Sequence, residues 1–470
     1  MEERTTVTEA GRACGATEDR PVTLAGLGPT AAAALGERLG EPGWLRDLRA
    51  EAWRLAEALP LPDPAQEEWR RTDLSGLDLA ALVPAPLPRH GAGIPRVLED
   101  ILGLSGDGAG ALAEAHGGLL VHRDAGPVRA ALDAALAARG VRFTDLATAT
   151  RDHPDLLREH LHRLIRPEEL KFRALGAALR GAGTFLYVPP GVEVTVPLLA
   201  AAWLDTPGAL HSPHTLVVAD RGSVVTLIEV SGSLGVERQT LVTRTTELVV
   251  GEGAQVRHVL FQEWGAGVWE VGAVRARLAR DATLRSLVVA FGGSLVKTDV
   301  ECLLAGPGAQ SEMLGVYFGA DRQHVDFHTL QEHQAPHTLS DLLYKGAVQD
   351  RARTVFAGLI RVHYGAQKTN AFQSNRNLIL NAGAKADSIP KLEIMANDLR
   401  CTHGSATSRL HEEHLFYLMS RGLTRPRAVR MVVDGFFAEV LDRIPLERLR
   451  ARVHEGIAAR LARRQEDAAA

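Results

Sequence analysis

A cysteine and a histidine two residues apart are the side chains best placed for chemistry in this sequence. They are Cys401 and His403, in the segment DLRCTHGSATSRLHEEHLFYLMSRG (398–422). In a strand, residues i and i+2 emerge on the same face with Cα atoms about 6.5–7 Å apart. Thiolate and imidazole suit zinc or iron–sulfur species as ligands. On residue types alone, a buried cysteine beside a hydrogen-bonded histidine, with a purely structural role, competes with a metal site.

Two histidine-rich patterns are weaker candidates for a metal site. HEEH (411–414) is one residue short of the zinc-binding HExxH, and two ligands do not make a site, so a solvated helix start is favoured. The segment QHVDFHTLQEHQAPHTL contains His324, His328, His333 and His337. In an alternating strand its apolar side chains face inward and its polar ones outward, which explains HVDFH without a metal. A structural role is expected for the last two histidines.

The segment VKTDVEC places two acids on one strand face. Lys297, Asp299 and Glu301 occupy alternate positions, so in a strand all three side chains lie on the same face. Paired acids on a β-helix are typical of enzymes that cleave polysaccharides, but a solvated, self-paired strand face is more common. No lysine follows a glycine, so the nucleotide-binding pattern GxxxxGK[ST] is absent and ATP would be bound by another subunit. These observations favour a protein that is not an enzyme.

Composition narrows the class of protein. The 470 residues carry a formal net charge of −4, and six scattered lysines give no basic patch, so no nucleic-acid partner is expected. Three cysteines (Cys14, Cys302 and Cys401) do not form a disulfide framework. The N-terminal segment does not resemble a signal peptide, and no apolar run of eighteen residues exists, so we expect no membrane span and a cytoplasmic location.

Four regions follow from periodicity. Residues 1–22 are predicted to be a disordered tail, and 23–165 an N-terminal helical region that includes LRDLRAEAWRLAEAL. Residues 166–404 are predicted to be a β core in which β-branched and polar residues alternate. Residues 405–470 return to helical spacing, and Gly404 is expected to let the chain turn out of the core.

A recurrent turn motif predicts the architecture of the core. Its central positions are Gly222, Gly253, Asp281, Gly308, Arg351 and Gly383. The gaps are 31, 28, 27, 43 and 32 residues, a period typical of stacked repeat units. A β-solenoid, in which each coil covers the next, fits best. The long gap contains QEHQAPHTL, which is interpreted as an inserted excursion.

The C-terminal helices carry an apolar stripe with two possible uses. Its members include Val429, Val433, Phe436, Phe437 and Val440. The stripe could pack on the last coil of the solenoid, since an open β edge needs a cover. It could equally be the docking site of a partner, because aromatic anchors dominate many interfaces.

Three segments together resemble the SufD family of the SUF system for iron–sulfur cluster assembly. They are EEWRRTDL, GAGTFLYVPPGVEVTVPL and the long run from QHVDFHTLQEHQAPHTL through LRCTHGSATSRLHEEHLFYLMSRGL. The likeness extends from about residue 50 to residue 450. It implies a mainly β fold, a right-handed parallel β-helix between N-terminal and C-terminal helical regions.

The resemblance also implies partners and a role. The family pairs SufD with its paralogue SufB and docks the ATPase SufC through C-terminal helices, so the chain would be a scaffold subunit and not an enzyme. No cofactor would be bound stably by the isolated chain, which could form a homodimer. A transient iron–sulfur cluster would be built in the complex. His403 would be a ligand at the interface with the SufB-type subunit, and Cys401 a weaker candidate.

SufB is the near alternative within the same resemblance. SufB proteins carry a cysteine six residues before the equivalent of Pro390, where this chain has Ala384. They also follow the equivalent of His403 with glutamate, where this chain has Gly404. Both departures favour the SufD type. A SufB-like scaffold, a β-helix carbohydrate enzyme and a purely structural solenoid remain the alternatives.

Overall fold

A computed structural model describes residues 26–89, 91–104, 115–233 and 235–467, so the predicted tail 1–22 and Cys14 lie outside it. The helices are α1 (Pro29–Arg38), α2 (Gly43–Ala58), α3 (Arg96–Leu102), α4 (Ala134–Ala138), α5 (Leu146–Asp152), α6 (Pro154–His160), α7 (Lys171–Ala178), α8 (Glu412–Ser420), α9 (Arg425–Leu441) and α10 (Glu447–Asp467). The strands of the N-terminal half are β1 (Val83–Pro84), β2 (Gly118–Arg123), β3 (Gly126–Leu132), β4 (Arg142–Asp145), β5 (Gly183–Val188), β6 (Leu198–Leu204), β7 (Ala209–His211), β8 (His214–Ala219), β9 (Val224–Ser233), β10 (Thr240–Val242) and β11 (Thr245–Val250). Those that follow are β12 (Gln255–Glu263), β13 (Val268–Leu278), β14 (Thr283–Ala290), β15 (Leu295–Leu304), β16 (Gln310–Gly319), β17 (His324–His333), β18 (Leu339–Val348), β19 (Arg353–Val362), β20 (Thr369–Ile379), β21 (Lys385–Ile394) and β22 (Leu399–Arg409).

The strands form two facing sheets that the chain visits in turn. Sheet 1 has the order β21-β19-β17-β15-β13-β11-β8-β5-β4, and sheet 2 the order β22-β20-β18-β16-β14-β12-β9-β6-β2-β3. From β11 onward, consecutive strands alternate between the sheets, and their neighbours within each sheet are parallel. Each coil therefore adds one strand to each sheet. The predicted fold, a mainly β solenoid flanked by helices, is confirmed.

Tight turns stack at the corner where the chain leaves sheet 1 for sheet 2. The stacked residues, all with positive φ, are Gly222, Gly253, Asp281, Gly308, His337 and Lys368. Each donates its backbone N–H to a carbonyl of the following coil, for example Gly253 to Arg280 (2.9 Å) and His337 to Gln367 (2.9 Å). The coil length is therefore set by this corner.

The predicted excursion at QEHQAPHTL is wrong, because this segment belongs to a regular coil. It contains the end of β17 and the stacked corner residue His337, 29 positions after Gly308 (337 − 308). Arg351 lies at the opposite corner, between β18 and β19, where its N–H donates to the Asp321 carbonyl (2.8 Å). Gly383 lies at that same opposite corner, between β20 and β21. Turns at both corners are rich in Gly, Asp and Arg. The turn motif was therefore aligned on one corner in the first coils and on the other corner in the last ones.

Side-chain alternation separates an inner core from two outer faces. On β15, Val300, Cys302 and Leu304 point between the sheets into the main apolar core. Burial raises the pKa of the Cys302 thiol to about 12, so this cysteine is an inert core residue. The outer face of sheet 2 is covered by α3, α9 and α10, and that of sheet 1 by the N-terminal helices, including α2, α5 and α6.

The region predicted as helical, 23–165, also contributes strands. β2 and β3 extend sheet 2, and β4 extends sheet 1. At the other end, β22 continues through Gly404 to Arg409, beyond the turn expected there. None of the described helices is long and apolar enough to cross a membrane.

The two ends of the solenoid differ. At the first end the sheets finish in β3 and β4, which run antiparallel to their neighbours. At the last end they finish in β21 and β22, which are parallel to β19 and β20 and have no other strand partner among the described residues.

Candidate functional site at the open end of the solenoid

Cys401 and His403 lie on β22, the last strand of sheet 2. In the strand register Cys401 is beside Ala371 of β20, and His403 is beside Gln373. Ala371 and Gln373 are buried between the sheets, so their register partners also lie on the inward face. The predicted same-face placement of the pair therefore holds.

The inward face of the last coil is uncovered, because no further coil follows β22 in the part of the chain that the structure describes. Cys401 is half-buried beside Leu399, at the edge of a small cluster that contains Ile360 and Val362. His403, two residues further on, is exposed. The sequence left open a buried, structural pair and a metal-ligand pair at the interface with a partner. In the structure both side chains lie on the inward face, where His403 is exposed and Cys401 is half-buried.

Sheet 1 exposes apolar side chains at the same place. Leu392 and Ile394 of β21 continue the buried columns that end in Ile360 and Val362, yet Ile394 is 42% exposed. We call the surface formed by the free edges of β21 and β22, with these inward side chains, the open end. Long, regular and apolar strand edges are surfaces that pair with another chain.

The chemistry available at the open end is that of a partial metal site. Burial raises the pKa of the Cys401 thiol, so it is protonated at neutral pH unless a cation favours the thiolate. The imidazole of His403 supplies one further ligand atom. Ala384 occupies the position at which the SufB-type alternative would carry a cysteine, and it is buried against Val348 and Ala352. One thiol and one imidazole are too few to hold a cluster, so a cluster here would need ligands from another molecule.

The acids of VKTDVEC are engaged in ion pairs beneath the N-terminal region. Asp299 pairs with Arg173 (2.8 Å), and Glu301 pairs with Arg275. Lys297 is buried against Asp326, at 2.9 Å between Nζ and Oδ2. The expected self-paired, solvated face is wrong, because each of these side chains pairs with a residue outside the segment and the face is covered by the N-terminal region.

The four histidines of 324–337 do not converge on one point. His324 and His328 lie on the outer face of β17, where they flank Asp326, and His324 Nε2 is 2.9 Å from the Thr72 hydroxyl. His333 is buried inside and hydrogen-bonds Thr338 (2.7 Å) and Ser340 (2.9 Å). His337 is the corner residue. Each histidine has a local structural role, as expected for His333 and His337.

HEEH lies at the start of α8. His411 is the N-cap residue, without a side-chain capping bond, and its ring centroid is 5.2 Å from that of His414. Both residues are exposed. The expected solvated helix start is what the structure contains.

The apolar stripe predicted to bind a partner is mostly inside the protein. Val433, Phe437 and Val440 are fully buried against the outer face of sheet 2, and Val429 and Phe436 are partly buried there. Three of the five predicted residues are therefore not available for contact with a partner. The amphipathic spacing indicated a buried face correctly, but it could not tell the solenoid from a partner as the cover.

A different apolar surface is exposed on the same helices. Phe416 is 74% and Tyr417 57% exposed on α8, together with Met419, and Met431 of α9 is also exposed. We call the three side chains on α8 the α8 patch. Adjacent exposed aromatic residues mark interaction sites more often than single apolar residues do.

One cluster escaped the sequence analysis altogether. His162, His214 and Glu247 are all buried and could each offer one ligand atom, with these atoms within 4.8 Å of one another. They come from three separate segments, so no local spacing reveals them.

Comparisons with known proteins identify the family of the chain. A family model described as the SufBD core domain of SUF-system iron–sulfur cluster assembly matches residues 203–436. The iron–sulfur cluster assembly protein SufD of Bacillus subtilis is 30% identical over 416 residues, 87% of this chain and 92% of that protein. SufB of the same organism is 30% identical over 315 residues, 66% of this chain and 67% of SufB. An iron–sulfur cluster assembly SufBD family protein of Mycobacterium leprae is 34% identical over 281 residues, 58% of this chain and 70% of its own length. The chain therefore belongs to the SufB/SufD family of the SUF system for iron–sulfur cluster assembly.

Proposed function

We propose that this chain is a SufD-type scaffold subunit that pairs with a SufB-type paralogue through the open end. The observation that carries the proposal is the unfinished last coil. β21 and β22 offer 10 and 11 residues of free parallel edge, and Ile394 and Leu392 lie uncovered on their inner side. A second solenoid with a similar last coil would satisfy the backbone groups and bury these side chains.

The SufD type is favoured over the SufB type by coverage and by two positions. The match to SufD of Bacillus subtilis covers 87% of the chain, against 66% for SufB. Ala384 and Gly404 stand where a SufB-type chain would supply a thiolate and a carboxylate. This chain would thus need its partner to complete a ligand set.

The iron–sulfur cluster is the cargo of this scaffold. His403 is the ligand that we assign to this chain, because it is exposed on the inward face where the partner's last coil would approach. Cys401 is the weaker candidate, since it is half-buried and its pKa is raised. Ligands divided between two chains would separate when the interface opens, and this would allow the cluster to be released.

We further propose that a SufC-type ATPase docks on the α8 patch. This patch presents Phe416 and Tyr417 to solvent, whereas the stripe on α9 is used by the protein's own packing. Aromatic anchors surrounded by polar residues are typical of such interfaces.

The pairing is tested by co-expression with a SufB-type and a SufC-type subunit. Ile394→Lys introduces a charge at the open end and should abolish co-purification of the SufB-type subunit. Val97→Lys is the matched control, because Val97 is a similarly exposed apolar residue on α3, far from β21 in the fold. It should leave the complex intact.

Two results would reject the proposal. One is a complex of unchanged stability with Ile394→Lys, and the other is equal loss with the control. Size-exclusion chromatography of the chain alone gives a second readout. If the open end pairs with a second copy in the absence of a partner, Ile394→Lys should convert a homodimer to a monomer.

A further inference from the structure

His162, His214 and Glu247 converge on the outer face of sheet 1. His214 is the first residue of β8, Glu247 lies on the neighbouring β11, and His162 follows α6 in the N-terminal region. The ligand atoms of the three side chains lie within 4.8 Å of one another. The cluster is far from the open end in the strand order, since β8 and β11 belong to the first coils.

The carboxylate of Glu247 is held rigidly. Its Oε1 accepts the backbone N–H groups of Leu164 (2.7 Å) and Ile165 (3.0 Å). Its Oε2 accepts the N–H of His162 (2.8 Å) and lies 2.9 Å from Nε2 of His214. A ligand oriented in this way by several hydrogen bonds is typical of metal sites, in which outer contacts fix the inner ligands.

No lysine or arginine among the described residues forms an ion pair with Glu247. Its ion-pair partner is His214, at 2.9 Å between Oε2 and Nε2. The guanidinium of Arg180 is directed to Glu41, at 2.7 Å. A buried carboxylate is stabilised by a directly bound cation, which a metal ion would supply.

His162 has an unused ring nitrogen. Its Nε2 is buried and has no hydrogen-bond partner among the described residues. Its ring centroid lies 4.6 Å from that of His214. Buried polar atoms are normally satisfied, so an orphan nitrogen beside a carboxylate and a second imidazole points to a missing ligand.

We propose that these three residues bind a divalent first-row transition-metal ion, of the type of Zn²⁺ or Fe²⁺. Two imidazoles and one carboxylate are a recurrent ligand set for both ions, with positions left for water. A cleft of about 700 Å³, lined by Trp44, Leu161, His162 and Arg166 among others, adjoins the cluster at His162. The ion would join the N-terminal region to sheet 1. This inference does not depend on the proposed scaffold function.

The test uses the full chain, freed of metal by chelation and titrated with Co²⁺. The wild type should bind about one equivalent at this site, with visible d–d bands, and its thermal midpoint should rise. His162→Gln should lose both effects. His160→Gln is the matched control, because His160 lies two residues away and outside the cluster. It should behave as the wild type.

The wild-type chain alone gives a second measurement that does not depend on how the variant folds. X-ray absorption of the Zn²⁺-loaded protein should show nitrogen and oxygen ligands with imidazole scattering. Sulfur ligation would assign the ion to a cysteine and overturn the proposal. Equal Co²⁺ binding by the wild type and by a folded His162→Gln, or no binding by either, would overturn it as well.

Discussion

Phe437→Ala and Phe416→Ala separate self-packing from partner docking on the C-terminal helices. Phe437 is fully buried between α9 and the outer face of sheet 2, and its ring centroid lies 5.0 Å from that of Phe436. Phe416 is 74% exposed on α8. The same chemical change therefore removes a core contact in one variant and a surface side chain in the other.

The expected costs differ by several kcal/mol. Truncating a buried phenylalanine to alanine lowers the free energy of unfolding by about 3–5 kcal/mol, since transfer energy is lost and a cavity remains. The edge-to-face contact with Phe436 places the cost toward the upper part of that range. Truncating Phe416 should change the free energy of unfolding by less than about 0.5 kcal/mol, as for most surface positions.

Urea unfolding followed by tryptophan fluorescence, together with co-purification of a SufC-type ATPase, measures both effects. Phe437→Ala should be less stable but should still bind the ATPase under conditions where it is folded. Phe416→Ala should be as stable as the wild type and should lose the ATPase. A Phe437→Ala protein of wild-type stability would refute the packing argument. Full ATPase binding by Phe416→Ala would refute the docking surface.

Two further predictions concern the open end and the dependence of stability on pH. His403→Ala should leave the complex with a SufB-type subunit intact and strongly reduce its iron and sulfide content after reconstitution, whereas Cys401→Ala should reduce it less; wild-type content in His403→Ala would reject the ligand assignment. Burial lowers the pKa of His333 to about 4. Between pH 6.5 and 4 the unfolded chain therefore binds more protons than the folded one, so stability falls on acidification, by on the order of 3 kcal/mol from this residue. His333→Gln should flatten that part of the urea-unfolding pH profile, and an unchanged slope would contradict the assignment.

The solenoid architecture could be predicted from the sequence because similar residue types recur at the turns of successive coils. Gly222, Gly253 and Asp281 mark one corner at nearly constant spacing, and their residue types reflect the positive φ that the corner requires. Arg351 and Gly383 were assigned to the wrong corner, because the residue types of a turn do not show which sheet the chain is leaving. A recurring turn motif predicts the number of residues in a coil well. It predicts the corner at which a turn lies only where the residue types of the two corners differ.

The candidate sites were harder to predict from the sequence, because they depend on which other part of the protein covers a surface. The i, i+2 spacing placed Cys401 and His403 on one face, but only the end of the strand order shows that this face is open. The stripe containing Phe437 has the same spacing whether a solenoid or a partner buries it. His162 and Glu247 are 85 residues apart in sequence (247 − 162) and meet only through the docking of the N-terminal region on sheet 1.

The contrast between the two ends of the solenoid limits how many chains can join. A solenoid with free parallel edges at both ends could stack head to tail without a stop and grow into a fibre. Here β3 and β4 reverse the strand direction at the first end. Among the described strands, parallel growth can continue only from β21 and β22. Under the proposed pairing, one edge-to-edge contact would therefore use up the growing surface and limit the assembly to two solenoids.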